Sequence, residues 1–126
     1  MEFHNRVLIV DDDEVGRRAL CSCLEASGYE PTEASDGMEA LARLRTAAYA
    51  LVITDYRMPG LNGLELLRIV TKTWNVPVLL ISGELDEGVE RMARANDARI
   101  LRKPFDRETL LPLVKSAVVR TDITRR

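Results

Sequence analysis

Hydrophobic positions follow two alternating patterns along the chain. Short, wholly apolar runs such as Val7-Leu8-Ile9-Val10 are typical of strands that are covered on both faces. The longer segments between them repeat apolar residues every three or four positions, which is helical spacing. The predicted strands are Arg6–Val10, Tyr29–Ala34, Tyr49–Thr54, Val76–Ile81 and Arg99–Arg102. The predicted helices are Glu14–Ser27, Asp36–Thr46, Leu64–Thr73, Leu85–Asn96 and a last helix from a cap at Asp106 to Val119.

The same spacing predicts which side chains of the helices face a core. The fourth helix has a thin apolar face and carries Gly88 in its interior, so we expect it to be the helix that shifts most easily. The expected inward residues are Val15, Ala19, Leu20, Cys23 and Leu24 in the first helix, Met38, Leu41 and Leu44 in the second, Val89, Met92 and Ala93 in the fourth, and Leu110, Leu113, Val114, Ala117 and Val118 in the last.

Five strand–helix units in series predict an α/β fold. Apolar strands that alternate with helices form a doubly wound, five-stranded parallel (βα)5 sheet with helices on both faces. The 126 residues are the size of one domain. We predict that this domain spans residues 6–120, after a disordered N-terminus at residues 1–5. Residues 121–126 are expected to be a polar tail, either the natural end or a truncated linker.

Composition and charge exclude several function classes. The 18 Lys and Arg residues are balanced by 20 Asp and Glu residues, and the net charge is −2. A domain that binds nucleic acid directly usually has a clear basic excess, so we expect no nucleic-acid partner. The apolar runs are too short to span a membrane, and the first residues do not resemble a signal peptide. The sequence therefore predicts a cytoplasmic chain with no membrane partner.

The two cysteines and the single histidine indicate no catalytic or soft-metal site. Cys21 and Cys23 lie two positions apart in a predicted helix, so they point to different sides. His4, at the predicted disordered end, is the one histidine available for a zinc site or a hydrolase. We interpret both cysteines as buried or half-buried structural thiols.

Ionisable and hydroxyl residues follow the ends of four predicted strands. In a doubly wound parallel sheet, chemistry takes place beyond the carboxyl ends of the strands. Clustered carboxylates repel each other unless a proton or a cation joins them, and hard oxygen ligands suit Mg²⁺, or Mn²⁺. A lysine and a hydroxyl beside them would complete a cradle for a phosphoryl group. The residues at these strand ends are Asp11-Asp12-Asp13, Asp55, Ser82 and Lys103.

Each of these residues also has an ordinary structural interpretation. Asp12 or Asp13 could cap the helix that begins at Glu14. Lys103 alone is more often a solvated lysine, and Ser82 alone is more often a turn residue. Their joint placement at successive strand ends is what favours a site.

Four motifs in order resemble the response-regulator receiver domain, the phosphoacceptor of two-component signalling. The resemblance covers about Arg6 to Val119 and implies a flavodoxin-like receiver fold. The motifs are Val7-Leu8-Ile9-Val10-Asp11-Asp12-Asp13, then Leu51-Val52-Ile53-Thr54-Asp55-Tyr56-Arg57-Met58-Pro59-Gly60-Leu61-Asn62-Gly63, then Val78-Leu79-Leu80-Ile81-Ser82-Gly83, and Lys103-Pro104-Phe105.

The resemblance implies a metal site built from three acids and one carbonyl. Asp55 would be the phosphorylated aspartate. Asp12 and Asp55 would bind Mg²⁺ directly, together with the backbone carbonyl of Arg57, and Asp11 would act mainly through water.

The resemblance also implies contacts to the phosphoryl group. Ser82 would donate a hydrogen bond to one phosphoryl oxygen, and Lys103 would pair with another. Lys103 would be followed by a cis peptide bond to Pro104. Gly83 would leave room for the phosphoryl donor.

Three further residues are predicted to modulate the site. Ile100 stands where the family usually has Tyr or Phe, so its usual aromatic switch is replaced by a branched aliphatic side chain. Arg57 and Glu84 are expected to flank the mouth of the pocket and to pair across it, with Arg57 covering the approach of water.

The resemblance implies partners and not a separate enzymatic activity. The chain would catalyse only its own aspartyl phosphorylation and dephosphorylation. Its donor would be a sensor histidine kinase or a histidine phosphotransfer protein, and its target an output domain or effector protein. We expect a monomer or a weak dimer that depends on phosphorylation. The alternatives are a pseudo-receiver that binds without phosphorylation and, from the D-x-D start at Asp11, a haloacid-dehalogenase-like phosphatase.

Overall fold

A computed structural model of the chain describes residues 5–83 and 87–124, with side chains as far as residue 118. Five strands alternate with five helices in the described part. The strands are β1 (Arg6–Val10), β2 (Glu30–Ala34), β3 (Leu51–Asp55), β4 (Val78–Ser82) and β5 (Arg99–Arg102). The helices are α1 (Glu14–Ala26), α2 (Gly37–Thr46), α3 (Gly63–Trp74), α4 (Glu87–Ala95) and α5 (Arg107–Thr124).

The strands form one parallel sheet in the order β2-β1-β3-β4-β5. After β1 the chain crosses to β2 on one side, and from β3 onwards it proceeds on the other side. A crevice therefore opens between the carboxyl ends of β1 and β3, where the order reverses. The predicted doubly wound α/β fold is confirmed.

Two hydrophobic cores lie on opposite faces of the sheet. Helices α2, α3 and α4 cover one face, and α1 and α5 cover the other. Adjacent strand residues therefore point to different cores: Leu8 and Val52 face α2–α4, whereas Val7 and Leu51 face α1 and α5. Burial on both faces explains why these strands are apolar runs and show no alternation.

Side-chain caps fix where the helices begin. The Asp13 carboxylate accepts a hydrogen bond from the Gly16 amide at 3.3 Å, so Asp13 is the α1 cap. Asp36 accepts from the Glu39 amide at 2.7 Å in the same way. Asp106 accepts from the Thr109 amide at 2.9 Å, which confirms its predicted role at α5. These contacts satisfy amides that have no partner within the helix.

Four residues predicted to point inward are exposed instead. Val15, Ala19, Met38 and Met92 lie at the surface, and the predictions for them were wrong. In α2 the buried row runs through Gly37, Ala40, Leu41 and Leu44. A Cβ at Gly37 would lie 2.8 Å from Leu61, so the close approach to that loop turns Gly37 inward and leaves Met38 outside.

In α1 the buried row passes through Cys21 and Leu24 and continues to Arg17, one turn earlier. A charged residue thus occupies a position where spacing predicts an apolar one. Cys21 is buried and Cys23 half-buried, and both are free thiols, as predicted. Burial raises the pKa of the Cys21 thiol to about 11.

Several predicted boundaries also differ from the structure. The Asn5 carbonyl accepts a hydrogen bond from the Glu30 amide at 2.8 Å, whereas residues 1–4 lie outside the described residues. Helix α5 continues to Thr124, beyond the predicted helix end at Val119, since no Gly or Pro follows Val119 to stop it. The predicted start of the fourth helix at Leu85 lies outside the described residues. None of the described helices is long and apolar enough to cross a membrane.

Candidate functional site

Three carboxylates meet at the crevice between β1 and β3. Val10 and Thr54 are neighbours in the parallel register, so the next residues, Asp11 and Asp55, emerge side by side. One carboxylate oxygen from each of Asp11, Asp12 and Asp55 lies within 4.8 Å of the others. This set of hard oxygen donors, without sulfur or imidazole, fits Mg²⁺.

The backbone and side chain of Asp11 are fixed by their surroundings. Its amide donates to the Ala34 carbonyl at 3.1 Å, and its carboxylate accepts from the Asp13 amide at 3.0 Å. Burial raises the pKa of Asp11; the Asp13 amide opposes that rise and the charge of Asp55 adds to it. The carboxylates therefore repel one another, which is the condition under which a cation binds.

Lys103 reaches the same acids from the end of β5. Its Nζ lies 2.7 Å from Oδ1 of Asp55, whose side chain is only 11% exposed. Burial disfavours the charged lysine, but the hydrogen bond to Asp55 and the charges of Asp55, Asp11 and Asp13 outweigh this, and the pKa of Lys103 is raised. The Lys103–Pro104 peptide bond is cis, as predicted. Lys103 is therefore a protonated cation held against the acidic cluster.

Ser82 and Gly83 stand at the end of β4, the strand that lies between β3 and β5 in the sheet. Ser82 is buried at the end of β4, and its carbonyl accepts from the Lys103 amide at 3.0 Å. Since Asp55 pairs with Ile81 in the register, Ser82 follows directly beside the Asp55 strand end. A Cβ at Gly83 would lie 3.8 Å from the Cβ of Lys103, which is ordinary contact.

The loop after Asp55 forms the other wall. Asp12 and Arg57 line one cavity of about 470 Å³, together with residues of the 56–62 loop. The Gly63 amide donates to the Tyr56 carbonyl at 2.8 Å, which closes this loop onto β3. At its end, Asn62 and Glu65 form a reciprocal capping box that begins α3. The loop is thus held at both ends with Arg57 facing the side of Asp12.

The remaining predicted residues lie around this centre. Arg57 is exposed, and metal binding by its carbonyl stays a prediction. Glu84 lies outside the described residues, so its pairing with Arg57 also stays a prediction. Ile100 is half-buried and packs against the core beneath α4.

Two residues near the site were missed by the sequence interpretation. The predicted third helix begins at Leu64, yet Gly63 is the first residue of α3; the Asn62-x-x-Glu65 capping pattern is the signal that could have shown this. Arg17 donates to the Asp11 carbonyl and pairs with Glu33, which lies 16 residues away. No local pattern identifies such a pair, because its partners meet only in the folded sheet.

Comparisons with known proteins agree with this geometry. Residues 7–115 match the family described as the response regulator receiver domain. The CheY-3 chemotaxis protein of Vibrio cholerae is 36% identical over 110 residues, covering 83% of this chain and 85% of that protein. A solved structure of the Vibrio cholerae chemotaxis protein CheY4 has a TM-score of 0.82 at 33% identity and covers 89% of this chain and 97% of that one.

Another relative is longer than this chain. The transcriptional regulatory protein CpxR homolog of Haemophilus influenzae is 34% identical over 120 residues. That alignment covers 93% of this chain but 52% of the relative, so the chain spans about half of that regulator. With a family match over residues 7–115, the predicted doubly wound fold and an acidic crevice beside Lys103, the chain belongs to the response regulator receiver domains of two-component systems.

Proposed function

We propose that this receiver domain accepts a phosphoryl group on Asp55 in the presence of Mg²⁺. The observation that carries the proposal is the position of Asp55: its carboxylate has Lys103 Nζ at 2.7 Å and forms, with Asp11 and Asp12, a cluster within 4.8 Å. Family membership supports the same assignment.

The chain's own residues bring two anions together. An Asp55 oxygen attacks phosphorus, and the new phosphorus–oxygen bond forms as the bond to the donor nitrogen breaks. Lys103 offsets negative charge on the incoming group, and the buried Ser82 hydroxyl donates to a phosphoryl oxygen. Asp11, Asp12, Asp55 and the Arg57 carbonyl would hold Mg²⁺, which supplies further neutralisation of the developing charge. The donor proposed is a histidine kinase or a histidine phosphotransfer protein.

The added charge would then act as a switch. A phosphoryl group adds about −1.5 to −2 charge at neutral pH. It would draw Ser82 and Gly83 inward and shift α4, with Ile100 transmitting the movement by packing and without ring rotation. The readout would be an output domain or effector protein, with the chain a monomer or a weak dimer. A cytoplasmic location and the absence of a separate enzymatic activity stay predictions.

The experiment compares the parent chain with Asp55→Asn. Acetyl phosphate and Mg²⁺ are added, and the mass of the intact chain is measured. The parent should gain one phosphoryl group that hydroxylamine removes, as expected of an acyl phosphate. Asp55→Asn should gain none, whereas the control Asp36→Asn, which keeps a capping side chain at α2, should label like the parent.

Full labelling of Asp55→Asn would place the acceptor elsewhere. A parent chain that binds Mg²⁺ but accepts no phosphoryl group from acetyl phosphate or from a phosphorylated histidine protein would contradict the proposal. Such a chain would be a pseudo-receiver, which binds partners without phosphorylation.

A further inference from the structure

Arg17 links the end of β1 to the edge strand β2. Its Nη1 donates to the Asp11 carbonyl at 2.7 Å, and its Nε donates to Oε1 of Glu33 at 2.8 Å. The Arg17 side chain is 12% exposed, although α1 is otherwise anchored by Cys21 and Leu24. A largely covered arginine with two directed contacts is held in one geometry.

These contacts complete the fixation of Asp11. Its amide is bound to the Ala34 carbonyl, its carboxylate to the Asp13 amide, and its carbonyl to Arg17. Ala34 directly follows Glu33 on β2, so the amide and the carbonyl of Asp11 are both tied to the same edge strand. Rotation of the Asp11–Asp12 peptide, which would separate the two carboxylates, would break the contact with Arg17.

The charge of Arg17 does not explain its place. A cation beside the acidic cluster competes with a bound divalent ion, because like charges repel. Glu33 offsets that charge by pairing with Arg17, and the Arg17 contact goes to a carbonyl and not to a carboxylate of the cluster. The guanidinium therefore acts on the geometry of Asp11.

We propose that Arg17, oriented by Glu33, is a positioning residue that holds Asp11 and Asp12 in the arrangement that binds Mg²⁺. The inference rests on the proposed function, since it concerns the same site. The hydrogen bonds of Arg17 go to Glu33 and to the Asp11 carbonyl, so its proposed action on the site is through Asp11.

If Arg17 acts by its charge, its removal should change the Mg²⁺ affinity in one direction, and if it acts by positioning Asp11, in the opposite direction. Arg17→Met removes the guanidinium and keeps the aliphatic length, and Mg²⁺ affinity is measured by calorimetry. Loss of positioning should weaken Mg²⁺ binding about tenfold. This is the lower end of the effect that is typical when a residue that hydrogen-bonds a metal ligand is removed. Loss of a repelling charge alone should strengthen it.

Arg18→Met is the matched control. Arg18 lies 3.7 Å from Glu33 on a side chain that is 67% exposed, so the control removes the same charge one residue away. Mg²⁺ binding should be unchanged or slightly stronger. A second variant, Glu33→Ala, should weaken binding less than Arg17→Met does. The double variant Arg17→Met/Glu33→Ala should bind Mg²⁺ no more weakly than Arg17→Met alone, because Glu33 acts through Arg17.

A metal-free measurement separates local positioning from general loss of stability. Amide hydrogen exchange followed by NMR should be faster at Asp11 and Asp13 in Arg17→Met, and unchanged in Arg18→Met. All variants are compared at a temperature where thermal unfolding shows them folded. If Arg17→Met does not fold, Arg17→Lys is measured in its place, because one ammonium cannot reproduce both hydrogen bonds, to Glu33 and to the Asp11 carbonyl.

The outcomes are distinguishable from failure of the proposed function. If the parent binds no Mg²⁺ and accepts no phosphoryl group, the proposed function fails. If the parent does both and Arg17→Met, or Arg17→Lys in its place, binds Mg²⁺ as tightly as the parent, the positioning inference is overturned. Weaker Mg²⁺ binding in Arg17→Met, with unchanged or slightly stronger binding in Arg18→Met, supports it.

Discussion

At the scale of single residues, Asp11 and Asp106 occupy opposite environments. Burial and the neighbouring acid Asp55 raise the pKa of Asp11, so its charged form is disfavoured in the folded chain. Asp106 is fully exposed, and the hydrogen bonds from Thr109 lower its pKa, so its charged form is favoured. One aspartate therefore opposes folding at neutral pH, and the other supports it.

We expect Asp11→Asn to raise the thermal midpoint of the metal-free chain at pH 7 by a few degrees. Between the ordinary pKa of 3.8 and the raised folded value, the folded chain holds more protons than the unfolded one. Stability therefore falls as pH rises through that window, and an uncharged asparagine removes the loss. The difference should vanish well below pH 3.8, which scanning calorimetry against pH measures.

Asp106→Asn is the contrasting control for this pH dependence. Its stabilising charge is present above 3.8 and is lost as pH falls through the lowered folded pKa. The variant should be slightly less stable than the parent at pH 7 and equal to it in acid. If Asp11→Asn is also destabilised at pH 7 without metal, the acidic cluster does not strain the fold.

Two glycines near the site differ in the space around them. A Cβ at Gly63 would collide with the Asp55 carbonyl and lie 2.9 Å from the Tyr56 Cα, so backbone must move. We expect Gly63→Ala to cost at least about 1–3 kcal/mol of unfolding free energy and to weaken Mg²⁺ binding, because the 56–62 loop shifts. Gly83→Ala, with its nearest contact at 3.8 Å, should unfold like the parent. Equal denaturation curves for the parent, Gly63→Ala and Gly83→Ala would show that the backbone around Gly63 can accommodate a Cβ without loss of stability.

At the scale of elements, α3 and α4 are anchored unequally. Helix α3 begins with a capping box and buries Leu66, Leu67 and Val70. Helix α4 buries Val89 and Ala93, which are smaller side chains. Ion pairs from Glu90 to Arg94 at 2.9 Å and to Arg102 at 3.4 Å add contacts at the surface, where such pairs contribute little. Helix α4 is therefore the element with less resistance to movement.

We expect Ile100→Ala to loosen α4 before it unfolds the domain. Ile100 is half-buried against the core that holds α4, so the variant should lose about 1–2 kcal/mol, less than a fully buried isoleucine would. Hydrogen exchange in Glu87–Ala95 should accelerate, while Gly63–Trp74 stays protected. Exchange that accelerates equally in both helices would show that Ile100 supports the whole core. If the Ile100→Ala variant has normal stability but its phosphorylation no longer affects the output partner, Ile100 itself is required for the switch.

At the scale of the whole molecule, metal binding and folding share the crevice between β1 and β3. Asp11 and Asp12 follow β1 and Asp55 ends β3, so the site exists only when these strands are paired. A ligand that binds only the folded chain stabilises it by mass action, by about 2.7 kcal/mol at one hundred times its dissociation constant. Mg²⁺ should therefore raise the stability of the entire domain.

We expect Mg²⁺ to raise the thermal midpoint of the parent and to have almost no effect on Asp12→Ala. Asp12 is exposed, so its removal should leave the metal-free midpoint nearly unchanged while it removes one of the three carboxylates. The measurement is the midpoint against Mg²⁺ concentration at constant ionic strength, with Ca²⁺ for comparison. An Asp12→Ala curve that matches the parent would remove Asp12 from the metal site.

The sequence alone determined the strand–helix order, the parallel sheet and the strand-end residues of the site. Strands buried on both faces must be apolar throughout, so runs such as Leu51–Ile53 are visible without a structure. Strand ends of a parallel sheet share one edge, so Asp11, Asp55 and Lys103 were expected on the same edge of the sheet.

Only the tertiary structure decided the rotation of the helices and the contacts that bridge distant segments. Helical spacing gives a stripe but not its exact facing, and close approach at Gly37 turned Met38 outward. Arg17 lies in the buried row of α1 because Glu33 and the Asp11 carbonyl satisfy it there. Such polar pairs depend on where β1, β2 and α1 meet in space. The spacing of residues along the sequence does not determine how far apart these elements lie.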